Sequence, residues 1–415
     1  MNTERKTLRS RLADMGNWQM VTARAISDHA VVLWLVCILG VLYFVPGGPL
    51  SNLGPTAIAI PALLALTRLE QRQRLKPLAG MAMVFLIAGF WTVGITILSG
   101  GGGSDVERAA GNFVTLALLT VFAGLFAKSP ATKAMLWMVF AFAALSAAIS
   151  LGLYFIEPHQ RLFAIGRAVN PIPAAGGFAA GIIAGFVLWR LTAVSFCMKL
   201  ILLTGFVILI ATLFLTGSRG PMIGIIAALT LGAWFIPRPC FRRELTALIV
   251  VFGGLVLIMV SEDWLRPLLC PISSTLCRET FRPILWGWTF DQIAASPVLG
   301  TGPHHRFTED HLNNPHNGLF GLTMYYGIPF ALISLTLFVL ALRRIIRDAA
   351  PLPRAWCIVS LIFTSAYIAS DQSNIFAFFN THYVFFWMPF LLAYASAVMP
   401  EGTDERTLAV ESGAR

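Results

Sequence analysis

Four of the chain's seven histidines (His304, His305, His311, His316) and four of its arginines (Arg266, Arg278, Arg282, Arg306) fall within one polar stretch, residues 262–317. Arginine keeps its charge at any accessible pH, and its planar fork bonds phosphate oxygens in pairs. Several arginines converging on one point therefore suit a diphosphate better than a carboxylate. Arg278 and Arg282 stand four apart in CRETFRPILWGW, on one face if that piece is helical. Three more arginines lie in shorter polar connections: Arg161 and Arg167 beside and within LFAIGRAVNPIP, and Arg219 in TGSRGP. The plain alternative for each is head-group anchoring or a salt bridge at the rim. Among the histidines His316 stands apart, because NNPHNGLFG puts it at the mouth of an apolar segment, with Asn317 and Gly318 following. An imidazole fixed there can act as a general base or a hydrogen-bond donor. His304, His305 and His311 read as solvated loop residues. Their spacing matches no compact zinc pattern, so no metal is expected.

The elements that must position these groups are apolar. Of 415 residues, 57% are hydrophobic and 12% charged, with a mean hydropathy of +0.75. Soluble domains carry about 25% charged residues. The chain contains twelve apolar segments: 28–45, 53–67, 78–98, 111–127, 134–155, 171–190, 197–215, 220–236, 245–261, 317–342, 354–370 and 381–399. Their lengths and lack of β alternation predict an all-α polytopic membrane protein with about twelve transmembrane helices. Pro55 and Pro61 predict a tilted, broken or re-entrant second span. The tetraglycine Gly100–Gly103 lacks the Lys and Ser/Thr of a phosphate-binding loop. The first 25 residues are polar and basic, so no cleavable signal peptide is expected.

Lys and Arg set the topology. Alternate connections and both termini hold 22 of them and the other connections hold 8, half of these in the long loop. The positive-inside rule places both termini in the cytoplasm and residues 262–317 outside, in the periplasm of a Gram-negative cell. The expected organisation is one integral domain over 1–415, with a loop at 262–316 containing short helices and a cytoplasmic tail at 400–415. The basic excess is accounted for by cytoplasmic loops facing membrane lipids, and no nucleic acid is implied. An oxidising compartment lets Cys270 and Cys277 pair in CPISSTLC; two free thiols are the alternative. Trp264, Trp286 and Trp288 read as an interfacial belt, with sugar stacking open to Trp286 or Trp288. Asp371 and Asn374, in SDQSN, line the same cleft or cap a loop. Few ionisable groups sit near the middle of any span, which counts against an ion-coupled transporter.

At the chemistry-bearing residues the chain resembles the O-antigen ligase and polymerase superfamily. The similarity lies in TGSRG after a span, in Arg282 with Trp286 four residues on, in SPVLGTGP, in PHNGLFGLTMYYGI, and in the Gly-Arg-x2-Asn-Pro run at Gly166–Pro171. It covers roughly residues 160–340 and the single large outer loop between the ninth and tenth spans. The resemblance implies a glycosyltransferase of the bacterial inner membrane, acting on the periplasmic face without cofactor, metal or nucleotide sugar. The donor would be O-antigen on undecaprenyl diphosphate. For a ligase, the acceptor would be a sugar hydroxyl of lipid A–core oligosaccharide. By the same resemblance His316, Arg282 and Arg219 are the essential residues. Arg167, Arg278, Arg161, Asn317 and Trp286 are taken as substrate contacts, and direct displacement would invert the anomeric carbon. Polymerases and protein-directed transferases share these motifs. The short tail after the last span favours a member without a further soluble domain, and a ligase is the expected activity.

Overall fold

A backbone in lipid must satisfy its own polar groups, and helices do so within each segment. The computed structural model describes residues 33–46, 53–127, 129–157, 159–261, 267, 281–307, 313–377 and 379–399. These form α1 (Leu33–Phe44), α2 (Leu53–Thr67), α3 (Leu69–Leu75), α4 (Ala79–Leu98), α5 (Gly103–Leu125), α6 (Ser129–Ile156), α7 (Pro171–Leu191), α8 (Phe196–Leu215), α9 (Arg219–Phe235) and α10 (Phe241–Val260). Then come α11 (Arg282–Ala295), α12 (Gly318–Tyr326), α13 (Ile328–Asp348), α14 (Pro351–Ser370), a π-helical turn (Tyr383–Trp387) and α15 (Met388–Val398). Among the described residues, eight helical runs are long and apolar enough to cross a membrane. Four shorter apolar helices match the remaining expected segments. The protein is an all-α, multi-pass membrane protein. Pro61 does not break α2, which runs through it as one helix.

Two helices form the centre. The apolar windows of α14 and α7 are 89% and 78% buried, against 28% for α4, α8, α10 and α13. A helix apolar on every side belongs in such an interior. In α7 small residues let neighbours approach: a Cβ on Gly181 would sit 2.5 Å from that of Ala143. The end of α14 that carries Ser370 and Asp371 is thus held from all sides.

The tenth apolar segment is not one helix. It breaks at Gly327, whose φ of 87° lies in the left-handed region and which Ile328-Pro329 follows. The turn in SPVLGTGP meets the groups the break releases. Thr301 N–H donates to the Met324 carbonyl (2.8 Å) and Gly302 N–H to that of Tyr325 (3.0 Å). Ile328 N–H donates to Pro297 O (2.8 Å), and Trp91 Nε1–H reaches the Tyr326 carbonyl at 3.2 Å. Gly300 and Gly302, at φ 73° and 84°, let the loop lie this close, since a Cβ on Gly300 would fall 2.6 Å from the Tyr325 carbonyl carbon. The motif works as a backbone splint for α12, the helix that follows His316.

Candidate functional site

The third, fifth, ninth and eleventh connections meet at one end of the bundle around a cavity of about 420 Å³. That volume is in the range of ligand-binding pockets. Lining residues include Asp105, Arg108 and Asn112 at the start of α5, and Asn170 at the start of α7. His304, Arg306 and His316 come from the long loop and its return, Tyr325 and Tyr326 from α12, and Tyr367 and Asp371–Asn374 from the end of α14 and beyond. These four connections therefore share a side, as the charge count requires.

His316 is fixed by its neighbours on both sides. Trp286 Nε1–H donates to the Pro315 carbonyl at 3.1 Å. Asn317 caps α12, its Oδ1 accepting from Leu319 N–H (3.1 Å) and Phe320 N–H (3.0 Å), while its Nδ2 donates to Ala369 O on α14 (3.1 Å). Between them His316 holds φ at 48°, a left-handed conformation that a residue with a Cβ adopts at a cost of ~1 kcal/mol or more. Its own N–H donates to Asn314 Oδ1 at 3.1 Å. Burial pushes the imidazole below its ordinary value. The Asp371 carboxylate and a hydrogen bond with the Asp371 backbone oppose that shift, and Arg282 adds to it. The ring is thus kept neutral, the form that can accept a proton.

Asp371 joins His316 to Arg282. Phe281, at φ 54°, turns the chain so that Arg282 opens α11. The Arg282 guanidinium donates through Nε to the Ser370 carbonyl (2.9 Å) and through Nη2 to Asp371 Oδ1 (3.1 Å). The two side chains are 14% and 5% exposed, so this is a buried pair. Ser370 Oγ donates to Asp371 Oδ2 at 2.7 Å. Arg219 starts α9 next to the same carboxylate. A Cβ on Gly220 would overlap Ser370 Oγ and lie 2.6 Å from Asp371 Oδ2. The glycine of SRG is what allows Arg219 to stand there.

The remaining expected contacts separate into distinct roles. Arg161 donates through Nε to Thr216 O (2.6 Å) and through Nη2 to Ser218 Oγ (3.0 Å), so it braces the turn that bears Arg219. Arg167 is half-buried, 5.8 Å over the Phe379 ring, and burial lowers its pKa. Two of the expected contacts are buried. Trp286 is 4% exposed, packs edge-on against Phe320 and supports Pro315 through its Nε1–H. Asn317 is fully buried and its amide is used in capping and in the bond to Ala369. Arg278, Cys270 and Cys277 lie outside the described residues. None of Arg161, Arg167, Arg219 and Arg282 lines the cavity itself; among the described residues the arginines that do are Arg108 and Arg306. Arg108 carries the signal that marked the others, an arginine on the side where few are expected, yet composition offered no means of ranking it.

The comparisons agree with this arrangement. Residues 204–335 match the family model described as O-antigen ligase. The O-antigen ligase of Pseudomonas aeruginosa is 27% identical over 395 residues, which is 90% of this chain and 92% of that protein. In both comparisons the chain is similar to O-antigen ligases. The region matched by the family model runs from α8 through the long loop into α13, and so contains Arg219, Arg282, the splint and His316.

Proposed function

We propose that the protein transfers O-antigen polysaccharide from undecaprenyl diphosphate to a sugar hydroxyl of lipid A–core oligosaccharide, on the periplasmic face of the inner membrane. The reading rests most on His316: a neutral imidazole, held in a left-handed conformation on a cavity wall, beside a buried Asp371–Arg282 pair. An acceptor hydroxyl in the cavity gives its proton to His316 as its oxygen attacks the anomeric carbon. Such base catalysis is worth roughly 10²–10⁴ in rate. The bond to the diphosphate breaks on the opposite face, inverting that carbon, and negative charge grows on the departing phosphate oxygen. Arg282, aimed by Asp371 and Ser370, and Arg219, beside them, are the cations for that charge. Preorganised donors of this kind contribute ~2.7–4 kcal/mol each. Arg167 adds charge at the rim.

The test is transfer of lipid-linked glycan to purified lipid A–core. His316→Ala should slow transfer by roughly 10²–10⁴, and Arg282→Lys should be nearly as impaired as Arg282→Ala because the two-pronged geometry is lost. Near-normal transfer by His316→Ala would overturn the base assignment. In a deletion strain the expected phenotype is unmodified core with lipid-linked polysaccharide accumulating. Single repeat units still joined to core would instead identify a polymerase.

A further inference from the structure

An in-line displacement separates nucleophile and leaving group on opposite faces of the reacting carbon. His316 and Asp371 line the 420 Å³ cavity, whereas Arg219 and Arg282 do not, and Arg282 is bonded to Asp371. On the reading proposed above, which this inference depends on, the cavity is therefore the acceptor's chamber. The cations facing into it then have no diphosphate to bind. Arg108 comes from α5 and Arg306 from the segment after SPVLGTGP, two elements distant in sequence. Packing sets their relative position. A Cβ on Gly101 would lie 3.2 Å from His304 Nδ1, and one on Gly302 would lie 2.5 Å from Ser99 Oγ, so the two connections interlock. Among the described residues, the Arg306 guanidinium bonds main-chain carbonyls, Pro303 O at 3.1 Å and His305 O at 2.8 Å. Arg108 Nη1 lies 4.0 Å from Asp105 Oδ1, and Asp105 also accepts from Gly102 N–H (3.2 Å). Among the described residues the cavity is lined by two arginines and two carboxylates, Asp105 and Asp371; Asp371 is already paired with Arg282, so Arg108 and Arg306 against Asp105 leave an unbalanced positive charge, with Asn112 and Asn313 also lining the cavity.

We propose that Arg108 and Arg306 form an anion-binding subsite that grips a phosphate or carboxylate of the acceptor oligosaccharide while His316 takes its hydroxyl. The subsite selects acidic acceptors and orients them, and it does not hold the donor's diphosphate. Purified full-length protein is assayed with lipid-linked donor and three acceptors: native lipid A–core, the same material dephosphorylated, and the same material with its carboxyl groups reduced. The Arg108→Gln/Arg306→Gln double variant should raise the KM for native acceptor roughly tenfold, as expected for two solvent-facing charge contacts, with donor KM and kcat nearly unchanged. The Lys versions should recover most of the loss. One of the two treated acceptors should show the same rise with unaltered protein, and it should show no further rise with the double variant, which names the anion. A rise in donor KM, or an acceptor KM unmoved by both treatments and by the variants, would overturn the subsite. His316→Ala separates the two levels: inactive His316→Ala with a normal double variant removes the subsite alone, whereas active His316→Ala removes the reading beneath it.

Discussion

The electrostatics around His316 make a prediction whose sign can be worked from the site. A general base must be neutral, so transfer falls as pH drops through its folded-state pKa and is flat above it. Burial holds the His316 pKa below the ordinary 6.5, so the acid limb of the rate profile should lie below that value. The Asp371 carboxylate opposes the shift, being the strongest influence that raises the pKa. Asp371→Asn removes that charge and keeps an oxygen for the Arg282 Nη2 bond of 3.1 Å, so the limb should move to still lower pH. The plateau should fall as well, because a charge-assisted bond in a site where the two side chains are 14% and 5% exposed is lost, a change of about 1.5–3 kcal/mol. His316→Ala should lose the limb altogether and reduce the plateau by roughly 10²–10⁴, or ~2.7–5.5 kcal/mol of barrier. The measurement is initial rate of glycan transfer in detergent micelles across the acid range, each variant normalised to its own plateau. A limb above pH 6.5 in the unaltered protein, an upward movement in Asp371→Asn, or a limb surviving in His316→Ala would refute the reasoning.

Gly220→Ala should be far more damaging than an alanine in a helix usually is, because the new Cβ collides with Ser370 Oγ and Asp371 Oδ2; overpacking costs ~1–3 kcal/mol, and transfer by the Gly220→Ala/Ser370→Gly protein should recover part of the loss. Arg161→Met should lower thermal stability by about 1.5–3 kcal/mol through loss of the bonds to Thr216 and Ser218, and should lower kcat as Arg219 loses its support, with thermal unfolding and initial rates as the two readouts. Asn317→Ala should cost ~1 kcal/mol or more in melting experiments as α12 loses its cap, with substrate KM values changing less than kcat; an effect confined to KM would restore Asn317 as a substrate contact.

The sequence revealed the scaffold because a membrane imposes one signal repeatedly. Each apolar run has to satisfy its own backbone, so the twelve segments appear directly in hydropathy, and the Lys/Arg asymmetry groups the connections that meet at the cavity. Where backbone satisfaction came from elsewhere, the reading failed. The tenth segment looked continuous because the partners that let it break at Gly327, the N–H groups of Thr301 and Gly302 and the carbonyl of Pro297, lie in a separate turn whose hydropathy says nothing of partners. The same limit governs the site. His316 and Arg282 stand out by type and position, but the residue that joins them, Asp371, is 89 positions from Arg282 and follows an ordinary apolar run. A carboxylate at a helix end is capping or chemistry until its partner is known. Gly220 shows how much a motif can conceal. In SRG the arginine draws notice, yet the glycine decides whether α9 can approach Ser370 and Asp371 closely enough for that arginine to matter. Trp286 shows the converse: its position near the interface suggested an aromatic belt, with sugar stacking open, and the fold buries it against Phe320 as the support for Pro315. Residue type marks what chemistry a position can do. Only packing decides whether the side chain faces the reacting atoms or holds in place the one that does, and in this protein the holding residues outnumber the reacting ones around a single histidine.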